Sequence, residues 1–255
     1  MPFALVAQQN FTIKAKVASL QAPAKAYIMY RVGATSVSDS VNINNGEFEF
    51  KGTIQSPIMA SIRVKHDAAP VNPDPKKRTP VDALSFYLEN ATINIAATDS
   101  IKNAKISGSK INDDNAKLTA LMKPIEDNVA VLMKEYATYT KEQKNDEAFM
   151  KPFMAKYEEA NKDREPINKK FAEQNRNSLI GLIAYGNAIG YDIDPAVVEP
   201  EFMKFSAEVR SSSQGLRMET MIAGAKKTQV GAITDFTQND QNGKPVKLSD
   251  FKRKY

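Results

Sequence analysis

The chain has 255 residues, a net charge of +5 and a hydrophobic content of 42%, values that are ordinary for a soluble globular protein. It contains no cysteine and one histidine, His66, which excludes thiol nucleophiles, disulfides and zinc sites built from the usual sulfur and imidazole ligands. No apolar run approaches the roughly 20 residues that cross a membrane, and the small basic cluster at residues 76–78 is too weak an electrostatic footprint for nucleic-acid binding.

The first residues predict export. Residues 3–7 (FALVA), followed by polar residues, resemble the end of a secretory signal peptide, with Ala7 as the small residue before a cleavage point. The positive region and most of the apolar core of such a peptide are missing, and Leu5 is larger than the residue usual at its position. The alternative interpretation is a frayed N-terminal tail.

Residues 10–108 show the period-two alternation of half-buried strands. The strands are predicted at residues 11–17, 27–32, 37–43, 47–51, 59–64, 84–88, 92–96 and 104–106. The clearest hairpin turn is Asn44-Asn45-Gly46, because Asn-Gly readily adopts the positive φ angles of tight turns. Many short strands separated by turns predict an antiparallel β-sandwich or a small barrel.

Residues 109–228 change to a spacing of three and four residues, which is typical of helices. Asp113 or Asp114 is the expected N-cap of a long first helix, and Pro124 is expected to kink or restart it. The apolar face of this helix comprises Leu118, Leu121, Met122, Ile125, Val129, Leu132, Met133 and Tyr136. Further helices are predicted at residues 146–160, 167–175, 178–188, 200–209 and 215–227. We therefore expect a helical connector region.

Residues 229–255 change character again. A strand up to Phe236 precedes a predicted hairpin turn at residues 239–243, and a turn or helix start capped by Ser249 or Asp250 follows. A strand and a turn bury little surface by themselves. The segment is therefore predicted to open a further domain that these residues do not complete.

No cluster of polar residues predicts a catalytic, cofactor-binding or metal site. Asp240, Asn242 and Gly243 resemble the middle of a calcium loop. With Gly243 at loop position six, however, positions one and twelve are Gln238 and Ser249, where an EF-hand needs acidic residues. A β-turn is the favoured interpretation.

Three other features also favour structural roles. Asp192 and Asp194 offer paired oxygens, but their place beside Pro195 favours helix capping over metal binding or acid/base chemistry. His66 has no sequence partner for catalysis. The glycines within residues 181–190 match neither phosphate-binding motif, and the aromatic residues of the strands serve either the core or a ligand surface.

The C-terminal segment resembles the start of thioredoxin-like redoxins of the peroxiredoxin-related, disulfide-reductase type. The resemblance rests on Gly231, Asp235, Phe236, Asp240, Asn242, Gly243, Lys244, Val246, Leu248, Ser249, Asp250 and Phe251. Thr234 and Arg253 depart from the proline and glycine common in that family. The strand region, with Asp39-Ser40, Asn45-Gly46, Phe48, Phe50 and Gly52, is similar to a β domain of unknown function that precedes such redoxins in Gram-negative envelope proteins.

The resemblance implies three parts. They are a β domain at residues 10–108, a helical connector at 109–228 and the opening of a thioredoxin-like domain at 229–255. It also implies a periplasmic or envelope thiol-disulfide oxidoreductase whose Cys-x-x-Cys motif lies outside this sequence. This chain would then be a noncatalytic accessory region without a cofactor. Its expected partner is the thioredoxin-like domain of the same protein, with envelope proteins or a second copy as further candidates.

A second hypothesis is a self-sufficient envelope module whose β-sandwich binds a glycan, a peptide or another ligand. A deep pocket lined by aromatic and polar groups would favour this hypothesis. A hydrolase that uses carboxylates is a third class, and no sequence motif supports it.

Overall fold

The computed structural model describes residues 9–20, 24–66, 81–228 and 237–251. The predictions made for residues 3–7, 76–78 and 229–236 lie outside these residues. About 30% of the described residues lie in strands and 49% in helices, and the sheets precede the helices along the chain. The predicted α+β class is therefore confirmed.

The described strands comprise two sheets and a C-terminal hairpin. They are β1 (Gln9–Val17), β2 (Ala24–Val32), β3 (Thr35–Asn42), β4 (Glu47–Ile54), β5 (Ile58–His66), β6 (Asp82–Leu88), β7 (Thr92–Ala97), β8 (Lys105–Ser107), β9 (Thr237–Asn239) and β10 (Pro245–Lys247).

The described α-helices follow the sandwich along the chain. Two short 3₁₀ helices lie outside this group, one within the sandwich at Ile101–Asn103 and one after the C-terminal hairpin at Leu248–Phe251. The α-helices are α1 (Lys110–Ala137), α2 (Lys141–Asn145), α3 (Glu147–Asn161), α4 (Arg164–Gln174), α5 (Leu179–Ile189), α6 (Pro195–Met203), α7 (Ala207–Arg210) and α8 (Ser213–Thr228).

Eight strands form two four-stranded sheets. The first sheet has the order β4-β1-β7-β8 and the second has the order β3-β2-β5-β6. Neither closes into a barrel within the described residues, so the sandwich is the correct alternative. The antiparallel prediction holds for every pair in these sheets except β1 and β7, which run parallel. Since these two strands are far apart in sequence, no tight turn fixes their relative direction.

Period-two alternation explains the sandwich core. Phe11 and Ile13 of the first sheet are 3% and 0% exposed, while Ile62 and Phe86 of the second sheet are 0% and 1% exposed. All four belong to one continuous apolar cluster between the sheets. Burial of these side chains supplies the main favourable term in the folding of this region.

The turn at residues 44–47 forms as predicted, but it does not close a hairpin. Asn45 and Gly46 have φ angles of 51° and 78°, and the backbone N–H groups at both ends of the turn donate to each other's carbonyl groups at 3.0 and 2.9 Å. However, β3 pairs with β2 and β4 pairs with β1, so the chain crosses here from one sheet to the other.

The crossing is held by the first sheet. The Val17 N–H donates to the Gly46 carbonyl at 2.8 Å, and a Cβ atom at position 46 would lie 2.2 Å from the Val17 carbonyl oxygen. Only glycine combines a positive φ with this close approach. The contact with β1 directs β4 into the first sheet.

The first helix departs from two expectations. Its N-cap is Ser109, whose hydroxyl accepts from the Asn112 N–H at 3.3 Å, so the prediction of Asp113 or Asp114 as the cap was wrong. The helix also continues through Pro124 as one element of 28 residues. Proline removes a single backbone donor there without ending the helix.

Three other helix boundaries differ from the predictions. The break after α3 falls at residues 162–163, so Pro166 lies in the first turn of α4, where proline is well tolerated. The predicted helix at 200–209 is two helices, α6 and α7. The sequence reading missed α2, although Thr140 and Gln143 form a reciprocal capping box at its start.

The helices share a second apolar cluster. Leu118 and Met122 of α1 pack with Phe171 of α4 and Ile180 of α5, and Tyr87 of β6 belongs to the same cluster. The buried residues of α1 all lie between Asn112 and Ile125. No helix in the described ranges is both long enough and apolar enough to pass through a bilayer.

Candidate ligand-binding groove

The second sheet presents a polar face away from the sandwich core. Its registers place Ser38, Met29, Ser61 and Ser85 side by side across β3, β2, β5 and β6. Because side chains alternate along a strand and Ile28 points into the core, this row points outward. The result is a shallow strip of hydroxyl groups with a thioether among them.

The adjoining positions add apolar and charged groups. Arg31 pairs with Ser36, and Met59 pairs with Tyr87. The two methionines of this face, Met29 and Met59, are 46% and 52% exposed. Unbranched methionine side chains adapt to surfaces of different shape, so this face suits contact with a variable ligand.

Helices α5 and α8 stand opposite this face. Leu179 and Ile183 of α5, with Ser213, Gln214 and Arg217 of α8, line the same cavity as the sheet residues. The cavity measures about 1110 Å³. We call it the sheet-helix groove, with the outer face of the second sheet as one wall and the two helices as the other.

A tight turn places the first residues of α8 in this wall. The Ser212 hydroxyl accepts from the Gly215 N–H at 3.1 Å. A Cβ atom at position 215 would lie 2.0 Å from the Arg210 carbonyl oxygen, so a larger residue would push α8 away from α7. Glycine at this position therefore sets where Gln214 and Arg217 stand.

A buried amide joins the helices to the second sheet. The Asn112 Oδ1 accepts from the Tyr87 N–H at 2.9 Å, and its Nδ2 donates to the Tyr87 carbonyl at 2.8 Å. Tyr87 lies on the edge strand β6, so its outward backbone groups have no strand partner there. Asn112 is 5% exposed and satisfies both groups, as buried backbone requires.

Glu89 strengthens the same junction. Its carboxylate accepts from the Ile111 N–H at 3.1 Å and from the Ser109 hydroxyl. A negative charge is favourable at this helix N-terminus because the first N–H groups of a helix carry partial positive charge. The start of α1 is thus fixed to the end of β6 by specific polar contacts as well as by apolar packing.

A second cavity, of about 680 Å³, lies beside the junction and carries Glu89, Asp114, Glu208 and Lys110. The Asp114 side chain is 5% exposed and forms ion pairs with Lys110 and Lys117, each at 2.9 Å. Burial favours its neutral form, but the hydrogen bonds from these two lysines outweigh that effect and lower the pKa of Asp114 to about 2. The carboxylate stays charged at neutral pH and is therefore an anchor for α1, unsuited to proton transfer.

A third cavity, also about 680 Å³, adjoins the sheet-helix groove, because Gln214 and Arg217 line both. Asn168 lies in it, is 3% exposed and donates through Nδ2 to the Arg164 carbonyl at 3.0 Å. Its Oδ1 atom has no hydrogen-bond partner in the part of the chain that the structure describes. This oxygen is shielded from solvent, so its missing hydrogen bond is a local cost to stability.

The groove has an excess of positive charge. Among the described residues, Arg31 and Arg217 form no ion pair, and no carboxylate lines the groove. Arginine binds carboxylates in a paired, planar geometry. The arrangement is therefore equipped to hold an anionic molecule.

The residues singled out in the sequence lie elsewhere. Asp194 caps α6 by accepting from the Ala196 N–H at 2.9 Å, which agrees with its predicted role. Asp240 accepts from the N–H groups of Asn242 and Lys244 at 2.8 and 2.9 Å, as in a turn. His66 is the last residue of β5 and pairs with Ala24. No group of metal-ligating side chains occurs within the four described segments.

Sequence reasoning missed the groove. The serines at alternate positions 36, 38 and 40 gave the one available signal, since alternate residues of a strand share a face. The helical wall gave none, because the place of α5 and α8 beside the second sheet depends on contacts between residues distant in sequence.

One comparison with known proteins gives a match to the first part of the chain. Residues 11–115 match a family model described as a domain of unknown function (DUF4369). The match covers the sandwich and the first turns of α1, and it confirms the predicted N-terminal domain of unknown function. No curated protein and no solved structure matches the chain. The thioredoxin-like resemblance of the C-terminal segment stays a prediction.

Proposed function

We propose that the chain is a noncatalytic accessory region of an exported thioredoxin-like thiol-disulfide oxidoreductase. The observation that carries the proposal is the ordered set of redoxin-like residues near the C-terminus. The match of residues 11–115 to a domain of unknown function supports it, because the resemblance implies such a domain ahead of a redoxin.

The C-terminal geometry is compatible with this role. Strands β9 and β10 pair in an antiparallel hairpin whose turn is held by Asp240, and the Asp250 carboxylate accepts from the Lys247 N–H at 2.9 Å. Both strands are largely exposed. A hairpin of this size is only marginally stable alone, so it gains stability from a partner surface such as a complete thioredoxin-like domain.

The accessory region would act by holding and positioning. The 255 residues contain no thiol, so electron exchange would belong to the attached domain, where a helix N-terminus lowers the pKa of the attacking cysteine. The rigid junction at Tyr87 and Asn112 would keep the sandwich and helices as one platform. The sheet-helix groove is the surface on it most suited to contact a partner.

The test is thiol labelling of the native protein. Cells of the source organism would be fractionated, reduced and treated with a mass-adding maleimide, and the protein would be detected with an antibody raised against this chain. We expect a periplasmic polypeptide longer than 255 residues that takes up two labels. The recombinant 255-residue chain is the matched control, since it takes up none. A native protein that takes up no label contradicts the proposal.

The second candidate function is ligand binding by the chain itself, and the groove of about 1110 Å³ favours it. Pockets of this size hold small or peptide ligands. Thermal unfolding in the presence of a peptide library and a glycan panel tests this function, because a ligand that binds only the folded state raises its melting temperature. Absence of any shift in both panels contradicts it.

A further inference from the structure

We infer that the sheet-helix groove binds an extended acidic peptide, with its carboxylates on Arg31 and Arg217. This inference rests on the second proposed function, that the groove holds a ligand, and it names the chemical class. Three features of the groove support it: its charge, the side chains on its sheet wall and the width of that wall.

The charge of the groove selects an acidic ligand. Arg31 stands on the sheet wall and Arg217 on the helical wall, so a ligand between the walls meets a guanidinium group from each side. Within the described residues neither arginine is neutralised by an ion pair. The second cavity, with Glu89, Asp114 and Glu208, has an excess of negative charge, which would disfavour the same ligand there by repulsion.

The side chains on the sheet wall favour a peptide over a saccharide. Met29 and Met59 offer adaptable apolar contacts for side chains of different shape, while the serine hydroxyls can donate to and accept from a peptide backbone. The aromatic residues of this groove are Tyr30 and Tyr87. Tyr87 is 9% exposed, and Tyr30 packs edge-on against Phe11 at 6.1 Å, so neither ring offers an open face on which a sugar could stack.

The width of the sheet wall, measured across its strands, fits a short extended peptide segment. The row from Ser38 to Ser85 crosses four strands, which is roughly 14 Å at the usual spacing of strands. About four extended residues cover that distance. The third cavity, which shares Gln214 and Arg217 with the groove, extends the path beyond the helical wall.

The inference is tested by selecting a random octapeptide display library on the immobilised 255-residue chain. We expect the selected peptides to be enriched in Asp and Glu. One selected peptide, labelled with fluorescein, would then be titrated by fluorescence anisotropy. The double variant Arg31→Gln/Arg217→Gln should bind it about tenfold more weakly or worse, as expected for the loss of two partly exposed charge pairs.

A matched control removes the same charge outside the groove. Arg63→Gln/Lys105→Gln changes two exposed cations that do not line it, and its affinity should stay within twofold of that of the wild type. Unchanged melting temperatures would show that both variants fold. Equal losses in the two double variants, or selected peptides without acidic enrichment, would overturn the inference.

Competition with oligogalacturonate separates the two ligand classes. Stronger displacement by this acidic saccharide than by unlabelled peptide would overturn the peptide assignment while leaving ligand binding intact. Failure of both the peptide library and the glycan panel would instead remove the ligand-binding function itself. The outcome of thiol labelling is independent of either result.

Discussion

The contacts that join the sandwich to the helical region differ from the contacts that hold each region together. Within the sandwich, hydrogen-bond ladders hold the strands of each sheet together, and a continuous apolar cluster joins the two sheets. The helices share an apolar cluster of their own. At the junction, the Asn112 side chain bonds to the backbone of Tyr87 in β6, and the Glu89 carboxylate accepts from the Ile111 N–H of α1. Apolar burial therefore stabilises each part, and the junction adds specific polar contacts to the packing of Tyr87 against the helices.

The largest effect is expected from removing a side chain of the sandwich core. Phe86 is 1% exposed, and Phe86→Ala should lower the free energy of unfolding by about 3–5 kcal/mol because a cavity replaces the ring. Urea titration measures the change. Met59→Ala is the control, since Met59 is exposed, and a Phe86→Ala loss as small as that of the control would show that this core is not close-packed.

The junction gives the next largest effect. Asn112→Ala would leave the Tyr87 N–H and carbonyl buried without partners, which costs about 2–3 kcal/mol. Hydrogen exchange tests the contact itself. In Asn112→Ala, the Tyr87 amide hydrogen should exchange faster than the amide hydrogens of β1. The half-buried Asn115 on the same helix serves as the control. If Asn115→Ala matches Asn112→Ala in both measurements, the amide contact does not fix the helices.

Asp114 should make stability depend on acid. Its pKa of about 2 lies below the usual value of about 4, so the carboxylate stabilises the fold above pH 4. That contribution is lost as the pH falls from about 4 through about 2. Since both lysine partners are exposed and screened, we expect about 1–2 kcal/mol.

The measurement is urea unfolding of the wild type and Asp114→Asn between pH 2 and 7. The stability difference should shrink as the pH falls through this window. Asp127→Asn removes an exposed carboxylate that also pairs with a lysine and should show little pH dependence. A difference that stays constant down to pH 2 would mean that the ion pairs of Asp114 do not act on the folded state.

The smallest effect is expected at an exposed ion pair on the first sheet. Lys16 and Glu47 are each 62% exposed at a distance of 2.8 Å. Their hydrogen bond raises the pKa of Lys16 and lowers that of Glu47. Glu47→Gln should leave the melting temperature unchanged within error, because water and salt screen such pairs. A loss comparable to that of Asp114→Asn would contradict this comparison.

Local patterns were enough to predict the class and most elements. Alternation in residues 11–17 correctly identified buried Phe11 and Ile13. The three-to-four spacing correctly placed Leu118, Met122 and Ile125 on the buried face of α1, but the inclusion of Leu121 and Met133 was wrong, since both are exposed. The positive φ angles at Asn45 and Gly46 followed from residue type. These features depend on neighbours in sequence, where the physical rules for period and turn conformation apply directly.

The remaining features depend on contacts over long sequence distances. The turn at Gly46 was correct, but its contact with Val17 moves β4 into the other sheet. Ser109 is the N-cap of α1 because its hydroxyl accepts from the Asn112 side chain and donates to the Glu89 carboxylate. Arg31 and Arg217 are 186 positions apart in the printed sequence, and no local period relates them, so the groove could not be derived from sequence patterns.

Methyl NMR of the methionines tests most directly whether the groove is the functional surface. The selected acidic octapeptide would be added to the 255-residue chain labelled at its methionine methyl groups. We predict that the resonances of Met29 and Met59 shift on binding while those of Met133 and Met154, which are exposed on α1 and α3, do not. Shifts confined to Met133 and Met154, or none at Met29 and Met59, would contradict the account.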